Sequence, residues 1–405
     1  MKKLKLSREV GLGLLLFYGL GNILGAGIYV LIGKVAGIAG YLSVFAFLLA
    51  CVIALFTALS YTELASRYPF SAGAALYIDE GIGFRPLSVG FGLLMASAAL
   101  ISAATITHGF AGYVNQIVPI GNETAIVLLS LVLGAIAIRG IHISALVASA
   151  LTLVGIFGLL LIIYSGFDRI VNPTIGFAAF VPQWRFFDFS VILLGAFLAF
   201  YAYLGFEDMV TIAEEVKEPA KTFPIAILLA VAISTLLYIL VLIIALETLS
   251  LEELQNSQAP FNDLYRELTG KDPLLVSLIA ALAVVNGALI QIIMASRMLY
   301  GMAAKGWLPS VFSRLLQRTQ TPYVSTIFAV AVVIFFALLF DLLSLASYTS
   351  MLILIVFALV NVSLIRIKYL SPSPKGVIDI PLWIPWCALV LNLILIAGQL
   401  FLDKG

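Results

Sequence analysis

Charged side chains are scarce in this sequence. Asp, Glu, Lys and Arg make up 11% of the 405 residues, whereas about a quarter of the residues of a typical soluble domain are charged. Hydrophobic residues make up 62%, and the mean hydropathy is +1.14. The composition therefore excludes an ordinary soluble domain and indicates a protein built for a bilayer core. The net charge of +1 leaves no basic surface, so we expect no nucleic-acid partner.

Cysteine and histidine are also scarce, with two residues of each. Cys51 and Cys387 both lie in apolar runs, where we expect packed thiols without a disulfide bridge. The sequence holds no phosphate-binding glycine loop, no cluster of metal ligands and no nucleophile–base arrangement. We therefore expect no metal and no cofactor, and a membrane enzyme is a distant alternative. A channel is the other alternative, but it would show rings of polar residues along a pore.

Long apolar runs dominate what is present. A helix that crosses a bilayer needs about 20 mostly apolar residues. About eleven stretches qualify: roughly 10–36, 40–64, 86–116, 123–139, 144–166, 189–213, 222–246, 274–302, 323–340, 343–366 and 380–402. The predicted fold is an all-α membrane protein with about eleven transmembrane helices.

The basic residues are distributed unevenly between the two sides of these spans. With the N-terminal tail, residues 1–9, placed in the cytoplasm, sixteen of the 22 Lys and Arg residues fall on the cytoplasmic side. Basic residues concentrate in the cytoplasmic loops of membrane proteins. We therefore predict a multi-pass protein of the plasma membrane, with a cytoplasmic N-terminus and with Gly405 outside.

The spans divide into five, five and one. The first five occupy residues 10–166, the next five occupy residues 188–366, and an additional helix occupies residues 380–402. A unit with an odd number of spans reappears upside down when it is repeated, so two such units form an inverted repeat. Helices at corresponding positions of the two units should then share anomalies.

The first and sixth spans share such an anomaly, because each carries glycine near its midpoint. The first contains the run GNILGAG at Gly21–Gly27, and the sixth contains the run YAYLGFE at Tyr201–Glu207. Glycine-interrupted spans at matching positions of two halves indicate the substrate site of a transporter. We predict that helices 1 and 6 are broken and that the site lies between them.

The first break offers main-chain donors. Small residues let the helix unwind and let a ligand approach the backbone. The freed N–H groups of the outer half-helix carry the positive end of the helix dipole, which suits a carboxylate. The candidate substrate-binding residues here are Ile23, Gly25, Ala26 and Gly27. The alternative is that the glycines only allow helices to pack closely.

The second break offers acceptors. Unwound carbonyl groups, with Glu207 nearby, would suit an ammonium group or another cation. An acid near the bilayer centre costs about 2.5–3.5 kcal/mol on insertion scales, so it normally faces a cavity or a partner. The alternative is that Glu207 and Asp208 lie one turn nearer the cytoplasm and cap the inner half-helix. The candidates are Tyr201, Ala202, Tyr203, Leu204 and Glu207, with the Tyr203 ring as a candidate lid.

Polar residues of other spans supply further candidates. Thr107 in the third span and Asn286 in the eighth are candidate substrate-binding residues. A candidate gating network near the inner face consists of Glu63, Arg67, Glu214 and Arg297. The alternative is that these charged side chains only reach towards water at the membrane surface.

Four motifs, in order along the chain, resemble those of the amino acid–polyamine–organocation superfamily, and most closely its cationic-amino-acid-transporter-type permeases. They are GAGIYV at Gly25–Val30 with Gly33; YTEL at Tyr61–Leu64 with Pro69, Gly73 and Tyr77; FYAYLGFE at Phe200–Glu207 with EEVKEP at Glu214–Pro219 and Pro224; and Ser296-Arg297 with GWLP at Gly306–Pro309 and Thr321-Pro322. The resemblance covers the first ten spans. It implies the five-plus-five inverted repeat of sodium-coupled leucine transporters and alternating access around a midplane site.

The sequence departs from that family at three points. Family members often have twelve spans, whereas this sequence stops after the eleventh. Their inner loop often reads Arg-Asp-Gly, whereas here it is Ala304-Lys305-Gly306. Proton-coupled relatives carry a lysine in the fifth span that bridges to the first break, and Gly155 occupies that position here.

Together the two breaks would recognise a carboxylate and an ammonium group, which form the common part of an amino acid. The sequence therefore predicts a secondary transporter of amino acids, with the lipid bilayer as its surroundings. Exchange or facilitated movement is favoured, because Gly155 cannot titrate. The alternatives are a proton-coupled symporter that uses Glu207, and a transporter of amines or polyamines.

Overall fold

The computed structural model describes residues 10–68, 73–139, 141–183, 185–317, 319, 321–371 and 377–402. These residues form α-helices and short 3-10 helices, with one isolated bridge between Val10 and Val216. The α-helices are α1 (Leu12–Ile23), α2 (Ala26–Ala39), α3 (Ser43–Arg67), α4 (Gly73–Ile82), α5 (Arg85–Val114), α6 (Asn122–Ile138), α7 (Ile141–Ser165), α8 (Phe167–Val171), α9 (Phe186–Phe200), α10 (Pro219–Thr248), α11 (Leu251–Asn256), α12 (Pro260–Thr269), α13 (Leu274–Ala304), α14 (Tyr323–Leu339), α15 (Leu342–Leu370) and α16 (Trp383–Leu402). The predicted all-α membrane class is confirmed.

Seven segments of the described chain are long and apolar enough to cross a membrane. One of them, Gly27–Arg67, includes both α2 and α3, which a 3-10 turn at Gly40–Leu42 connects. Shorter apolar helices are α1, α6, α14 and the Ala150–Ser165 part of α7. The predicted number of about eleven spans stays a prediction, because length and composition qualify only the seven within the described residues.

The long helices pack side by side. α5 packs along α13, and α15 packs against both α5 and α16. α3 contacts α9 and α10, and α1 contacts α10 and α7. Large apolar side chains such as Leu131 and Val132 of α6 and Phe335 of α14 remain exposed. Exposed apolar helix faces of this kind suit lipid acyl chains.

A buried carboxylate joins three parts of the chain. Glu63 of α3 is fully buried, and its Oε1 atom lies 2.6 Å from the guanidinium group of Arg67, one helical turn away. Lys368 of α15 donates to both carboxylate oxygens, at 3.0 and 2.9 Å, and pairs with Asp379. The N–H group of Ile380 donates to Glu63 Oε2 at 2.9 Å. We term these five residues the Glu63 cluster, which ties α3, α15 and the approach to α16 together.

Replacing Glu63 by Gln should destabilise the protein, because the change leaves two largely buried cations with a single carboxylate. Breaking a buried ion pair costs about 3–5 kcal/mol, so we expect a clearly lower melting temperature for the purified variant. Lys221→Met is the control. Lys221 pairs with Glu218 at the surface, where 80% and 70% of the two side chains are exposed, and such pairs contribute little. Equal melting temperatures for the two variants would contradict a structural role of the cluster.

Candidate substrate site

The helical path is interrupted between α1 and α2. α1 ends at Ile23, and Leu24 and Gly25 adopt non-helical conformations before α2 begins at Ala26. The N–H group of Gly25 turns back to the carbonyl oxygen of Ile23, at 2.9 Å. The first N–H groups of α2 therefore have no preceding turn of their own helix to supply acceptors.

The path is interrupted again after α9. A single 3-10 turn covers Tyr201–Tyr203, and Leu204 is extended. Gly205 has a φ of +123°, in the region that favours glycine, and a 3-10 helix follows over Phe206–Glu215. The N–H group of Gly205 donates to the Glu207 carboxylate at 2.8 Å. The side chain of Glu207 therefore holds the turn at Gly205.

The two interruptions touch each other through main-chain atoms. A methyl group added to Gly27 would lie 2.3 Å from the Cα atom of Ala202, and one added to Gly205 would lie 2.8 Å from the carbonyl carbon of Asn22. Beside Gly25, in contrast, the nearest atom would be the Asn22 carbonyl oxygen at 3.9 Å. Gly27 and Gly205 therefore let the two segments approach, while Gly25 has room beside it.

Asn22 lies at this contact with an unsatisfied side chain. Its Nδ2 and Oδ1 atoms are buried, and neither has a hydrogen-bond partner among the described residues. Buried amide groups in proteins normally have partners. Asn22 was not a sequence candidate, although a carboxamide beside the glycines of a predicted break was an available signal.

A tyrosine of a third helix contacts both interruptions. The Tyr238 hydroxyl of α10 donates to the carbonyl oxygens of Ile23, at 2.7 Å, and Ala202, at 2.9 Å. The ring packs edge-on against Phe47 and Tyr203, with centroid distances of 6.0 and 5.6 Å. Sequence reasoning missed Tyr238, because nothing distinguishes it from other aromatic residues of an apolar span.

The two tyrosines of the second interruption point in different directions. The Tyr203 hydroxyl donates to the Phe47 carbonyl of α3 at 3.2 Å, and the ring is fully buried. The Tyr201 hydroxyl shares a hydrogen bond with Ser102 of α5, at 3.0 Å. Tyr203 therefore packs towards α3 and α10 in this arrangement, and its role as a lid stays a prediction.

A small cavity lies beside the second interruption, between α5, α13 and α15. Its volume is about 10 Å³, which is room for about one water molecule. Glu207 and Asp208, with exposed fractions of 4% and 2%, both line it, and Gln291 donates to Asp208 at 3.4 Å. The other lining residues are Met95, Ala98, Ala99, Ser102, Leu204, Met294, Thr349 and Ile353. This cavity is therefore too small for an amino acid, which fits there only if the surrounding residues move.

The two polar candidates of α5 and α13 bond to other groups. Thr107 donates to the carbonyl oxygen of Ala104 in its own helix, at 2.7 Å. Asn286 donates to the Gly21 carbonyl and to the Thr152 hydroxyl, each at 3.1 Å. Asn286 therefore joins α13, α1 and α7 near the first interruption.

Gly155 of α7 faces the first interruption. A methyl group added to Gly155 would lie 3.6 Å from the carbonyl oxygen of Leu24 and 3.3 Å from the Cβ atom of Ala283. A longer side chain at this position would therefore reach the end of α1. Gly155 is thus near the break, and glycine supplies no charge there.

Segments that follow α10 cover α2. Lys34 donates to the Gln255 carbonyl of α11. The Tyr113 hydroxyl of α5 donates to the Tyr29 carbonyl at 2.5 Å, and the rings of Tyr29 and Phe261 lie 4.4 Å apart. These contacts hold α2 against α5, α11 and α12.

The structure joins two of the four predicted gating residues. Glu63 and Arg67 meet in the Glu63 cluster. Arg297 is exposed on α13, and the side chain of Glu214 lies outside the described part of the chain, as does that of Ala26. Sequence reasoning missed Lys368, because it lies 305 residues from Glu63 and no local pattern connects them.

A family model described as amino acid permease matches residues 14–403 of the chain. The chain belongs to the amino acid permease family. This permease therefore groups with transporters rather than with enzymes.

Relatives of the permease include named transporters. It is 27% identical to cationic amino acid transporter 3, mitochondrial, of Arabidopsis thaliana, over 89% of the chain and 62% of the relative. It is 28% identical to cationic amino acid transporter 4 of Mus musculus, over 88% of the chain and 59% of the relative. It is also 28% identical to an uncharacterized transporter of Mycobacterium bovis, over 93% and 84%. The chain thus spans 62% and 59% of the lengths of the plant and mouse relatives.

Replacing Gly205 by Ala should disrupt the contact between the interruptions of this permease. The φ of +123° strains any other residue, and the new methyl group would lie within 2.8 Å of Asn22. Such backbone strain alone costs about 1–3 kcal/mol, so we expect a lower melting temperature. Gly301→Ala in α13 is the control, because a methyl group there meets nothing within 4 Å. If both variants melt like the wild type, the contact is not important for the fold.

Proposed function

We propose that this permease is a secondary transporter of amino acids that works by alternating access around the two interruptions. The observation that carries the proposal is the direct contact of the interruptions at Gly27 and Gly205. This contact brings donors at the start of α2 and acceptors after α9 to one place. The family and the names of the plant and mouse relatives support amino acids as the substrate class.

The carboxylate of the substrate would bind at the start of α2. Gly25 precedes, and Ala26 begins, a helix of 14 residues, whose N-terminal end attracts negative charge. The space beside Gly25 leaves the main chain accessible, whereas Gly27 is packed against Ala202. We therefore assign the carboxylate to Gly25 and Ala26 before Gly27; the Gly25 N–H group would exchange its bond to the Ile23 carbonyl oxygen for one to the carboxylate.

The ammonium group of the substrate would bind the carbonyl groups of Ile23 and of Tyr201–Leu204, with the charge of Glu207 close by. A buried acid is costly unless a cation or other partner compensates it. Glu207 lies on the cavity wall and is held in place by the Gly205 N–H group. A substrate ammonium would supply the compensating charge.

The side chain of the substrate would enter the cavity between α5, α13 and α15. Asp208 places a second carboxyl group on its wall, so arginine, lysine and ornithine are the first substrates that we propose. Alanine-like or bulky neutral amino acids are the alternative, which apolar lining residues such as Met95 and Ile353 would suit.

The proposed mode is exchange or facilitated movement across the plasma membrane, with the N-terminus in the cytoplasm. Gly155 faces the first interruption and has no titratable group. The lysine that bridges to this break in proton-coupled relatives is therefore absent. Proton coupling through Glu207 is the alternative mode. Amines and polyamines are the alternative substrates.

A thermal-shift screen of the purified protein tests the substrate class, because a ligand that binds only the folded protein raises its melting temperature. We expect amino acids to stabilise the wild type. Gly25→Ala should fold, since the nearest atom is 3.9 Å from the added methyl group, but should lose most of this stabilisation, because the methyl group crowds the carboxylate. Gly301→Ala is the matched control and should respond like the wild type. Stabilisation by polyamines and by no amino acid would favour the alternative substrates.

Transport into proteoliposomes tests the mode. We expect labelled amino acid to enter vesicles preloaded with unlabelled substrate, with no accumulation when only a pH or sodium gradient is imposed. Glu207→Gln should not create or remove a pH-driven component. Concentrative uptake into empty vesicles that is driven by the pH gradient, and abolished by Glu207→Gln, would establish the symporter alternative.

A further inference from the structure

An apolar groove lies on the outside of the bundle, between α5 and α15. Its volume is about 420 Å³, whereas the cavity at the second interruption has a volume of about 10 Å³. One wall is formed by Ile355 of α15, and the other is formed by the start of α5 with the residue before it: Phe84, Pro86, Leu87, Gly90, Phe91 and Leu94. None of these seven residues carries a polar side chain, and Phe84 and Ile355 are exposed. In a membrane protein such a surface faces lipid acyl chains.

The groove is about as long as one leaflet of a bilayer is thick. Its lining residues on α5 extend from Phe84 to Leu94, and an α-helix rises 1.5 Å per residue, so the groove spans about 15 Å. The hydrocarbon core of a bilayer is about 30 Å thick, so one leaflet occupies about half of this distance. One acyl chain lying along α5 would therefore extend from the membrane surface to the midplane.

A basic residue lies at the end of the groove that begins with Phe84. Arg366 of α15 is exposed, and its guanidinium group donates to the carbonyl oxygen of Ile82 at 3.3 Å. Arg366 follows Ile355 by about three helical turns, so the two side chains lie on the same face of α15. Tyr369, of which 69% is exposed, lies beside Arg366, and tyrosine is enriched where a membrane meets water. The groove thus carries a positive charge at its membrane-surface end.

The charge of Arg366 is not compensated by an ion pair among the described residues. Two acids precede Ile82 on α4, but Asp79 accepts a hydrogen bond from Ser88 at 2.9 Å, and Glu80 is exposed. The Arg366 guanidinium group is therefore available to a negatively charged ligand.

We propose that the groove binds one anionic phospholipid, with an acyl chain along α5 and the phosphate group at Arg366. Arginine presents a planar fork of N–H donors that matches the oxygens of a phosphate group. In the predicted orientation this lipid belongs to the cytoplasmic leaflet, where anionic lipids create a negative surface potential. The charge supplies the selectivity, because the hydrophobic effect does not favour the groove over the surrounding lipid tails.

The groove and the cavity beside Glu207 share two helices. Leu94 of α5 and Ile355 of α15 line the groove, whereas Met95 and Ile353 of the same helices line the cavity. The bound lipid therefore contacts from outside the helices that enclose the cavity.

The test measures lipid binding to the delipidated full chain in detergent by native mass spectrometry. The probes are phosphatidylglycerol and phosphatidylcholine with identical acyl chains, which differ in the net charge of the headgroup. We expect the wild type to bind one phosphatidylglycerol about 5-fold more tightly than phosphatidylcholine, since one arginine near a membrane surface contributes about this factor. Because binding is measured without transport, its failure would leave the proposed function untouched.

Two variants separate the headgroup from the chain. Arg366→Gln should bind both lipids equally, with the affinity of the wild type for phosphatidylcholine. Gly90→Phe should lose the tight phosphatidylglycerol site, because its ring occupies the groove. A Cβ atom at position 90 meets nothing within 4 Å, and phenylalanine favours a helix more than glycine does, so this variant should fold.

The matched controls are Arg366→Lys and Arg314→Gln. The first keeps the positive charge and should retain most of the preference for phosphatidylglycerol. The second removes the charge of an exposed arginine that does not line the groove, and it should bind both lipids like the wild type. Melting temperatures of the delipidated variants report whether each is folded.

The proposal is wrong if the wild type does not distinguish the two lipids, a result that needs no variant to fold. It is also wrong if Arg314→Gln loses the preference as Arg366→Gln does, or if Gly90→Phe binds phosphatidylglycerol like the wild type. A dimer in the spectra that Gly90→Phe dissociates would make a second copy of the chain the occupant of the groove, in place of the lipid.

Discussion

Backbone polar groups buried in a bilayer must find their partners within the protein, and this constraint governs the centre of the permease. Intact helices satisfy it with their regular main-chain bonds, whereas at the interruptions the Gly25 N–H group bonds to the Ile23 carbonyl and the Gly205 N–H group bonds to the Glu207 carboxylate. The fold responds by placing the two interruptions against each other and by supplying the Tyr238 hydroxyl to a carbonyl of each. The two interruptions thus form a single polar region inside an apolar helix bundle.

Compensation of buried charge separates the scaffold from the proposed site. The Glu63 carboxylate is matched by Arg67, Lys368 and the Ile380 N–H group, so the chain itself neutralises it and uses it to hold helices together. Glu207 is also buried, but it accepts a hydrogen bond from the main chain at Gly205 and lies on a cavity wall beside Asp208. Acids of this second kind suit a cation that arrives with a substrate, because burying a charge is costly without a counter-charge.

The sequence was sufficient for the class of the fold, because hydropathy and length reflect the bilayer directly, and family motifs indicated the permease family. It also indicated Gly21–Gly27 and Tyr201–Glu207, which are the segments that meet in the structure. The sequence did not reveal which side chains of distant helices would contact these segments. Tyr238 is one aromatic among many, and the Asn286 amide, a predicted substrate ligand, bonds to Gly21 and Thr152, because a lone carboxamide in an apolar helix does not reveal its direction.

The central claim is that one site recognises both charged ends of an amino acid. Equilibrium binding of L-arginine, of agmatine, which lacks the carboxylate, and of 5-guanidinopentanoate, which lacks the α-ammonium group, tests it most directly. Hydrogen bonds to charged groups are worth about 1.5–3 kcal/mol, so each analogue should bind at least about 10-fold more weakly than L-arginine. Agmatine or 5-guanidinopentanoate binding as tightly as L-arginine would contradict the account.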